Sequence, residues 1–479
     1  MSTRRALFFS FLDRYAGLVL SVGSSMFIAR LLTPEEMGVF SVTMVLILFV
    51  SSMRDMGAGQ YLVQQKHLDA EQIRAVWTVL LFMGWAMALL VLAAAWPMAA
   101  FYGEPEMVSL LCVISVNFVV SPFGSMTYAW LMREMRFELL AIMRLGSGLA
   151  GAATSVTMAW QGYGALSLAV GSLVATVVNA ALALCFRPAH FGWLPRLAGV
   201  RQVLAFGSKI SASGLVWTAA EGAPELFLGK LQGMAAAAYF SRANGLAMMF
   251  QRIVLDATQS VALPLFAKAG RESGDFHTPF VLATTYVTVL GWAFFLGMAL
   301  LAHPLIHLLY GNQWDDAVML TRLLAMGMAV GLPAAMCTQA LMAAGQASGL
   351  LKYSLVAASV QVACVAGGAA HSVEGAGVGF IAAQLLVTTG WLWVTRRLVG
   401  VRLRPLLAQL LRSAAVALAA AAVPAVYVLA YGLQPAQPYL AILVSAVGGG
   451  IVFAAALFAF GHPLRMELAK LNPWRTTVR

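Results

Sequence analysis

Charge is what this chain has least of: 10% of its 479 residues are Asp, Glu, Lys or Arg, against about 25% in an ordinary soluble domain. Combined with 61% hydrophobic residues, that shortage excludes a soluble enzyme. The four cysteines, Cys112, Cys185, Cys337 and Cys364, stand singly in apolar runs with no CxxC pair and no histidine at metal-ligand spacing, so they read as small core residues and no metal centre is expected. No GxxxxGK[ST] segment occurs, which excludes an ATP-driven pump with its own nucleotide loop. Long polar connectors are missing too. The longest outer one lies near residues 303–315, too short for a large outer loop carrying catalytic arginines, histidines or carboxylates, so an enzyme is not expected. The net charge of +11 does not imply nucleic acid, because the basic residues are scattered between apolar runs rather than gathered on one soluble face.

What is present is apolar sequence in blocks, at about 9–31, 37–57, 75–97, 107–125, 139–160, 164–186, 207–228, 235–256, 276–302, 316–338, 350–370, 376–396, 411–431 and 439–460. Fourteen crossings at about 20 residues each use about 280 residues, so the whole chain can be membrane. Turn chemistry separates the blocks, as at Thr33-Pro34, Gly103-Glu104-Pro105, Gly162-Tyr163-Gly164 and Gly311-Asn312. Arg4 and Arg5 before an apolar stretch imitate a secretory signal, but Asp13 and Arg14 interrupt it, and a retained first span is expected. The expectation is an all-α polytopic membrane protein of about 14 transmembrane helices.

Lys and Arg flanking spans stay on the cytoplasmic side. With both termini cytoplasmic, only Arg30 and Lys230 fall in outer connectors, while Arg14, Arg144, Lys209, Arg242, Arg252, Arg322 and Arg412 lie in or at the ends of spans. All other basic residues are then inner. The excess charge is thus a sidedness signal, reinforced by anionic lipid. Residues 187–206 and 396–412, which mix arginines with leucines and aromatics, are expected to lie flat on the inner membrane surface.

A faint repeat overlays residues 30–41 on residues 230–241 at an offset of 200. Each copy joins the first two spans of a six-span block, predicting lobes at 1–200 and 201–400, related by a pseudo-two-fold axis along the membrane normal, with a helix pair and cytoplasmic tail at 401–479.

The stretches Ile28–Gly38, Asp55–Gln60 followed by Val63–Lys66, Phe101–Pro105, Leu131–Phe137, Phe206-Gly207, Gly229-Lys230 with Tyr239–Ala243, and Leu309–Trp314 together resemble the bacterial oligosaccharide flippases. This is the polysaccharide transporter branch of the multidrug/oligosaccharidyl-lipid/polysaccharide exporter superfamily, and the pattern is nearest the colanic-acid and exopolysaccharide exporters. The likeness runs over roughly residues 8 to 400. It implies two six-helix lobes around a cavity and, by alternating access, transfer of undecaprenyl-diphosphate-linked repeat units from the inner to the outer leaflet of the bacterial inner membrane. Relatives often carry an acidic residue five positions before the Gly that precedes the basic residue of the seventh span. Here that position is Pro224, with Glu225 beside it and Glu221 one turn earlier. A lipid II flippase, also of fourteen spans, and a cation-coupled multidrug antiporter of twelve are the alternatives within the superfamily. No cofactor is expected beyond coupling to a proton or sodium. The expected partners are the lipid-linked oligosaccharide, the bilayer and polysaccharide polymerase machinery, with the transporter itself a monomer.

Ionisable groups inside spans cost about 2.5 to 3.5 kcal/mol each by insertion scales and usually face a cavity or a partner. For substrate the candidates are Arg14, Arg144, Lys209, Arg242 and Arg322, since a guanidinium fork suits a diphosphate; Arg144 and Arg242 are expected to face a shared basic chamber. For ion coupling they are Asp13, Glu221 and Glu225. The last two, four apart, share a helix face, and neighbouring carboxylates favour uptake of a proton or cation. Pro224 between them, like Pro122, Pro333 and Pro424, is a candidate pivot. His303 and His307 are also four apart but have no acidic companion at a ligand-like position in the sequence, so a structural or interfacial role is expected.

Overall fold

The computed structural model describes residues 3–54, 58–65, 69–189 and 191–470, with the side chains of residues 3–14, 205–217 and 468–470 left aside. Among the described residues 86% are helical and none is in a strand, as a bilayer demands of a chain whose backbone polar groups must satisfy one another.

Two compact units divide it, Met1–Ala238 and Tyr239–Arg479. The first holds α1 (Thr3–Leu31), α2 (Pro34–Arg54), α3 (Ala58–Gln64), α4 (Ala70–Tyr102), α5 (Glu106–Arg133), α6 (Phe137–Trp160), α7 (Leu166–Cys185) and α8 (Val200–Leu231). The division falls inside α9 (Met234–Phe250). The second unit continues through α10 (Asp256–Glu272), α11 (His277–Leu300), α12 (Ala302–Leu309), α13 (Ala317–Gly331), α14 (Cys337–Ala343), α15 (Ala347–Ala369), α16 (Val373–Val399), α17 (Leu403–Tyr431), α18 (Pro438–Ala459) and α19 (Leu464–Lys470). Among the described residues 11 helices are long and apolar enough to cross a membrane, and Tyr15–Leu31 of α1 is a shorter apolar stretch. Leu89, Trp96, Trp160, Leu429 and Ile451, all on long apolar helices, are exposed, as side chains that face lipid are.

The offset of 200 is visible in the backbone. α1 ends at Leu31 and α2 begins at Pro34; α8 ends at Leu231 and α9 begins at Met234. The two turns are made by different chemistry. In the first, Thr33 and Glu36 form a capping box: the Glu36 N–H donates to Thr33 Oγ1 at 3.3 Å and the Thr33 N–H to Glu36 Oε2 at 2.9 Å. In the second, Gly233 turns the chain at φ 93°, which a side chain would strain.

α8 continues as helix on both sides of Pro224, as α5 and α17 do around Pro122 and Pro424. At Pro333 the helix does change, to a 3-10 turn at Leu332–Ala334 between α13 and α14. Residues 396–412 are not a separate surface segment, because Gly400 caps α16 and α17 opens two residues after Val401. Of the four cysteines only Cys337 is buried, and Cys185 is exposed; an apolar run in a membrane protein is as often lipid-facing as core.

The connector after α7 is held to α4 by hydrogen bonds. Trp77 Nε1 donates to the Trp193 carbonyl at 2.9 Å, and the Arg196 N–H donates to Thr78 Oγ1 at 2.7 Å. Arg187 stacks on Trp193 at 3.7 Å and faces Trp77 at 5.1 Å. Burial lowers the pKa of its guanidinium from the usual value.

Candidate functional site

In the first unit α8 lies against α2. Gly222 and Gly229, seven apart, fall on one stripe of α8, and a Cβ at either would strike Val45 or Val42 of α2. A Cβ on Gly38 of α2 would meet the backbone of Met234. Glu225 sits three residues after Gly222, on the same stripe. The small residues let the helices approach closely enough for Ser41 Oγ of α2 to donate to Glu225 Oε2. Ser41 is buried and Glu225 half-buried, while Glu221, one turn earlier, is exposed. The two carboxylates are thus in different surroundings despite their four-residue spacing.

Also in this unit, α1, α6 and α7 line a cavity of about 600 Å³, within the range of small-ligand pockets. Its wall is mostly apolar, with the hydroxyls of Ser21, Ser24, Ser155 and Ser172 and one charged group, Arg144. Arg144 is exposed, and its Nη2 donates to Tyr128 Oη while its guanidinium sits 5.3 Å from the Tyr128 ring centre. Asn117 Nδ2 donates to Ser172 Oγ at 3.1 Å, fixing one of the hydroxyls. Tyr128 and Asn117 were not among the candidates, because uncharged polar residues in apolar runs carry no signal in a sequence read for charge.

In the second unit Arg242 of α9 lies 5.4 Å from the ring centre of Tyr310 and 5.6 Å from that of Trp314. Trp314 is fully buried, and Tyr239 meets it edge-on at 6.1 Å. Arg322 of α13 acts electrostatically on His303 of α12. Arg144 therefore belongs to one unit, and Arg242 and Arg322 to the other. Lys230, an outer residue by the charge pattern, is tied to Phe101 by a hydrogen bond to its carbonyl and by a cation–π contact at 4.5 Å. The side chains of Asp13, Arg14 and Lys209 lie outside the described residues.

One expectation about His303 and His307 is overturned: an acidic companion exists. His307 Nε2 and Asp315 Oδ1 are 2.9 Å apart, because Gly311 (φ 97°, ψ 177°) and a single 3-10 turn at Asn312–Trp314 fold the chain back on α12. That backbone region is essentially glycine's alone, a fact the bare spacing of 307 and 315 conceals.

These features define a multi-pass helical membrane protein whose spans hold a few charged groups on specific partners. Its fold is similar to that of the lipid II flippase MurJ, solved in an inward closed conformation, with a TM-score of 0.76 over 95% of this chain and 99% of that one, at 12% sequence identity. The chain belongs to the polysaccharide biosynthesis protein family, whose pattern matches residues 27–319. It is 28% identical over 375 residues to the succinoglycan biosynthesis transport protein ExoT of Rhizobium meliloti (strain 1021), covering 77% of this chain and 75% of ExoT. It is 23% identical to the lipopolysaccharide biosynthesis protein WzxC of Escherichia coli (strain K12), covering 75% and 74%.

Proposed function

We propose that this protein carries an undecaprenyl-diphosphate-linked oligosaccharide repeat unit from the inner to the outer leaflet of the bacterial inner membrane by alternating access, serving exopolysaccharide, capsule or O-antigen synthesis. The observation that carries the reading is the similarity to ExoT, a transport protein of succinoglycan biosynthesis, along three quarters of both chains. Moving about two negative charges outward across an inside-negative membrane gains up to about 2.3 kcal/mol per charge per 100 mV, so the membrane potential supplies much of the drive. Arg144, exposed to its cavity and already ordered by Tyr128, supplies the fork for the diphosphate. Glu225 in the α2–α8 seam takes up the coupling proton or sodium, with Ser41 orienting its carboxylate.

Fourteen spans with both termini cytoplasmic complete the reading. It is supported by the basic-residue distribution and by the predominantly helical course of the apolar blocks. Cysteine labelling that places either terminus outside would contradict it. The functional test is a deletion strain. Surface polymer should be lost and lipid-linked repeat units should accumulate facing the cytoplasm, both restored by the intact gene; normal polymer with altered drug tolerance would instead mark an antiporter.

A further inference from the structure

We propose that His303, His307 and Asp315 form a binding site for a divalent transition-metal ion of the zinc class. The two histidines stand four apart on α12, so their rings lie on one face, stacked with centroids 4.5 Å apart and planes 25° from parallel. Gly311 and the following 3-10 turn bring Asp315 to that face, and one potential ligand atom from each residue lies within 4.8 Å of the others.

A second observation points to a ligand. His303 is 7% exposed, and its buried Nδ1 has no hydrogen-bond partner; His307 Nε2, although 2.9 Å from the Asp315 carboxylate, makes no properly directed hydrogen bond with it. Buried imidazole nitrogens left without partners are costly, and a cation between them and the carboxylate removes that cost at both rings together.

The donor set selects the metal. Two imidazoles and a carboxylate suit zinc and its neighbours, whereas calcium and magnesium require oxygen ligands. In a tetrahedral site bonds of about 2.0 to 2.2 Å place ligand atoms about 3.4 Å apart, so closure asks for a movement of about 1 Å. Asp315, 51% exposed at its side chain, is free to make it. Exposure rises from His303 through His307, 25% exposed, to Asp315, so the fourth position opens toward solvent and takes water. Arg322 acts against a cation here and Asp315 for it; exposed Asp316, next in the chain, adds a second negative charge. A bound ion would pin the turn that also carries Tyr310 and Trp314, the two rings that hold Arg242.

The test uses the full chain, purified without a histidine tag, stripped with chelator and titrated calorimetrically with zinc chloride, with calcium chloride as control. One zinc per chain should bind and raise the thermal midpoint, and calcium should do neither. Affinity should fall about tenfold or more in Asp315→Asn and His303→Ala. Asp315→Asn alters an exposed side chain, so it decides the matter even where His303→Ala fails to fold. Absence of saturable one-to-one zinc binding by the intact chain, or undiminished affinity in Asp315→Asn, would overturn the site.

Discussion

Two charges inside spans, Glu225 in the first unit and Arg242 in the second, are accommodated in opposite ways. Around Glu225 the helices give up side chains: Gly222, Gly229 and Gly38 let α8 and the start of α9 close on α2 until the hydroxyl of Ser41 meets the carboxylate. Around Arg242 the chain adds bulk, laying Tyr310 and Trp314 against the guanidinium at 5.4 and 5.6 Å. A carboxylate needs a directed donor at short range, which only a close helix pair provides. A delocalised cation is served by ring faces, at about 0.5 to 2 kcal/mol each. The first arrangement fails when volume is added and the second when it is removed.

The largest effect is expected at the aromatic corner. Trp314→Ala removes a fully buried ring and should cost about 3 to 5 kcal/mol, seen as a steep fall in thermal midpoint and in monodisperse yield. Gly38→Ala should come next, at about 1 to 3 kcal/mol, because the added methyl meets the backbone of Met234 rather than a side chain able to turn away. If Gly38→Ala proves harmless and Trp314→Ala does not, the seam is looser than described and the contrast collapses.

Loss of the Arg144 contact to a diphosphate is worth about 1.5 to 3 kcal/mol. Transport per folded molecule should therefore fall about tenfold or more in Arg144→Ala, and less in Arg144→Lys, which keeps the charge and loses the fork. Glu225→Gln sharpens the seam's side of the comparison. The amide still accepts from Ser41, so folded yield should hold while ion-dependent transport falls; transport that keeps its pH or sodium dependence would remove Glu225 from coupling.

The smallest effect concerns the second unit alone. His462 is fully buried beside Ser413 Oγ at 3.1 Å, and burial, aided by the Arg412 charge, lowers its pKa to about 4. A folded pKa below the unfolded one gives stability that is complete above about pH 6.5 and declines as pH falls toward about 4. Between about pH 7.5 and 6 the loss should be about 1 kcal/mol, absent in His462→Gln.

Much of this was legible beforehand because the bilayer enforces a coarse pattern. Most apolar blocks became single helices, although 235–256 runs from α9 into α10 and 316–338 is divided between α13 and α14, and the repeat read at 30–41 and 230–241 reappeared as two helix breaks offset by 200. Less legible was which neighbour each charge acquires. Glu221 and Glu225 share a spacing but not an environment, since only Glu225 sits on the glycine stripe facing α2. Arg242 is partnered by rings some seventy residues away, and Asp315 reaches His307 through a turn that depends on one glycine's φ. Such contacts are set by three-dimensional packing, and uncharged partners such as Ser41 and Tyr128 leave no mark in a reading based on charge.

The central claim is tested most directly by reconstitution. The purified protein is placed in liposomes with fluorescently labelled lipid-linked repeat units extracted from the host, and label accessible to an external quencher is followed over time under an imposed potential. Protein-dependent movement of the host's lipid-linked glycan, faster with the potential oriented as in the cell and absent for lipid II, is the result expected. Equal movement of lipid II, or none of the glycan while a cationic drug is exchanged for protons, would contradict it.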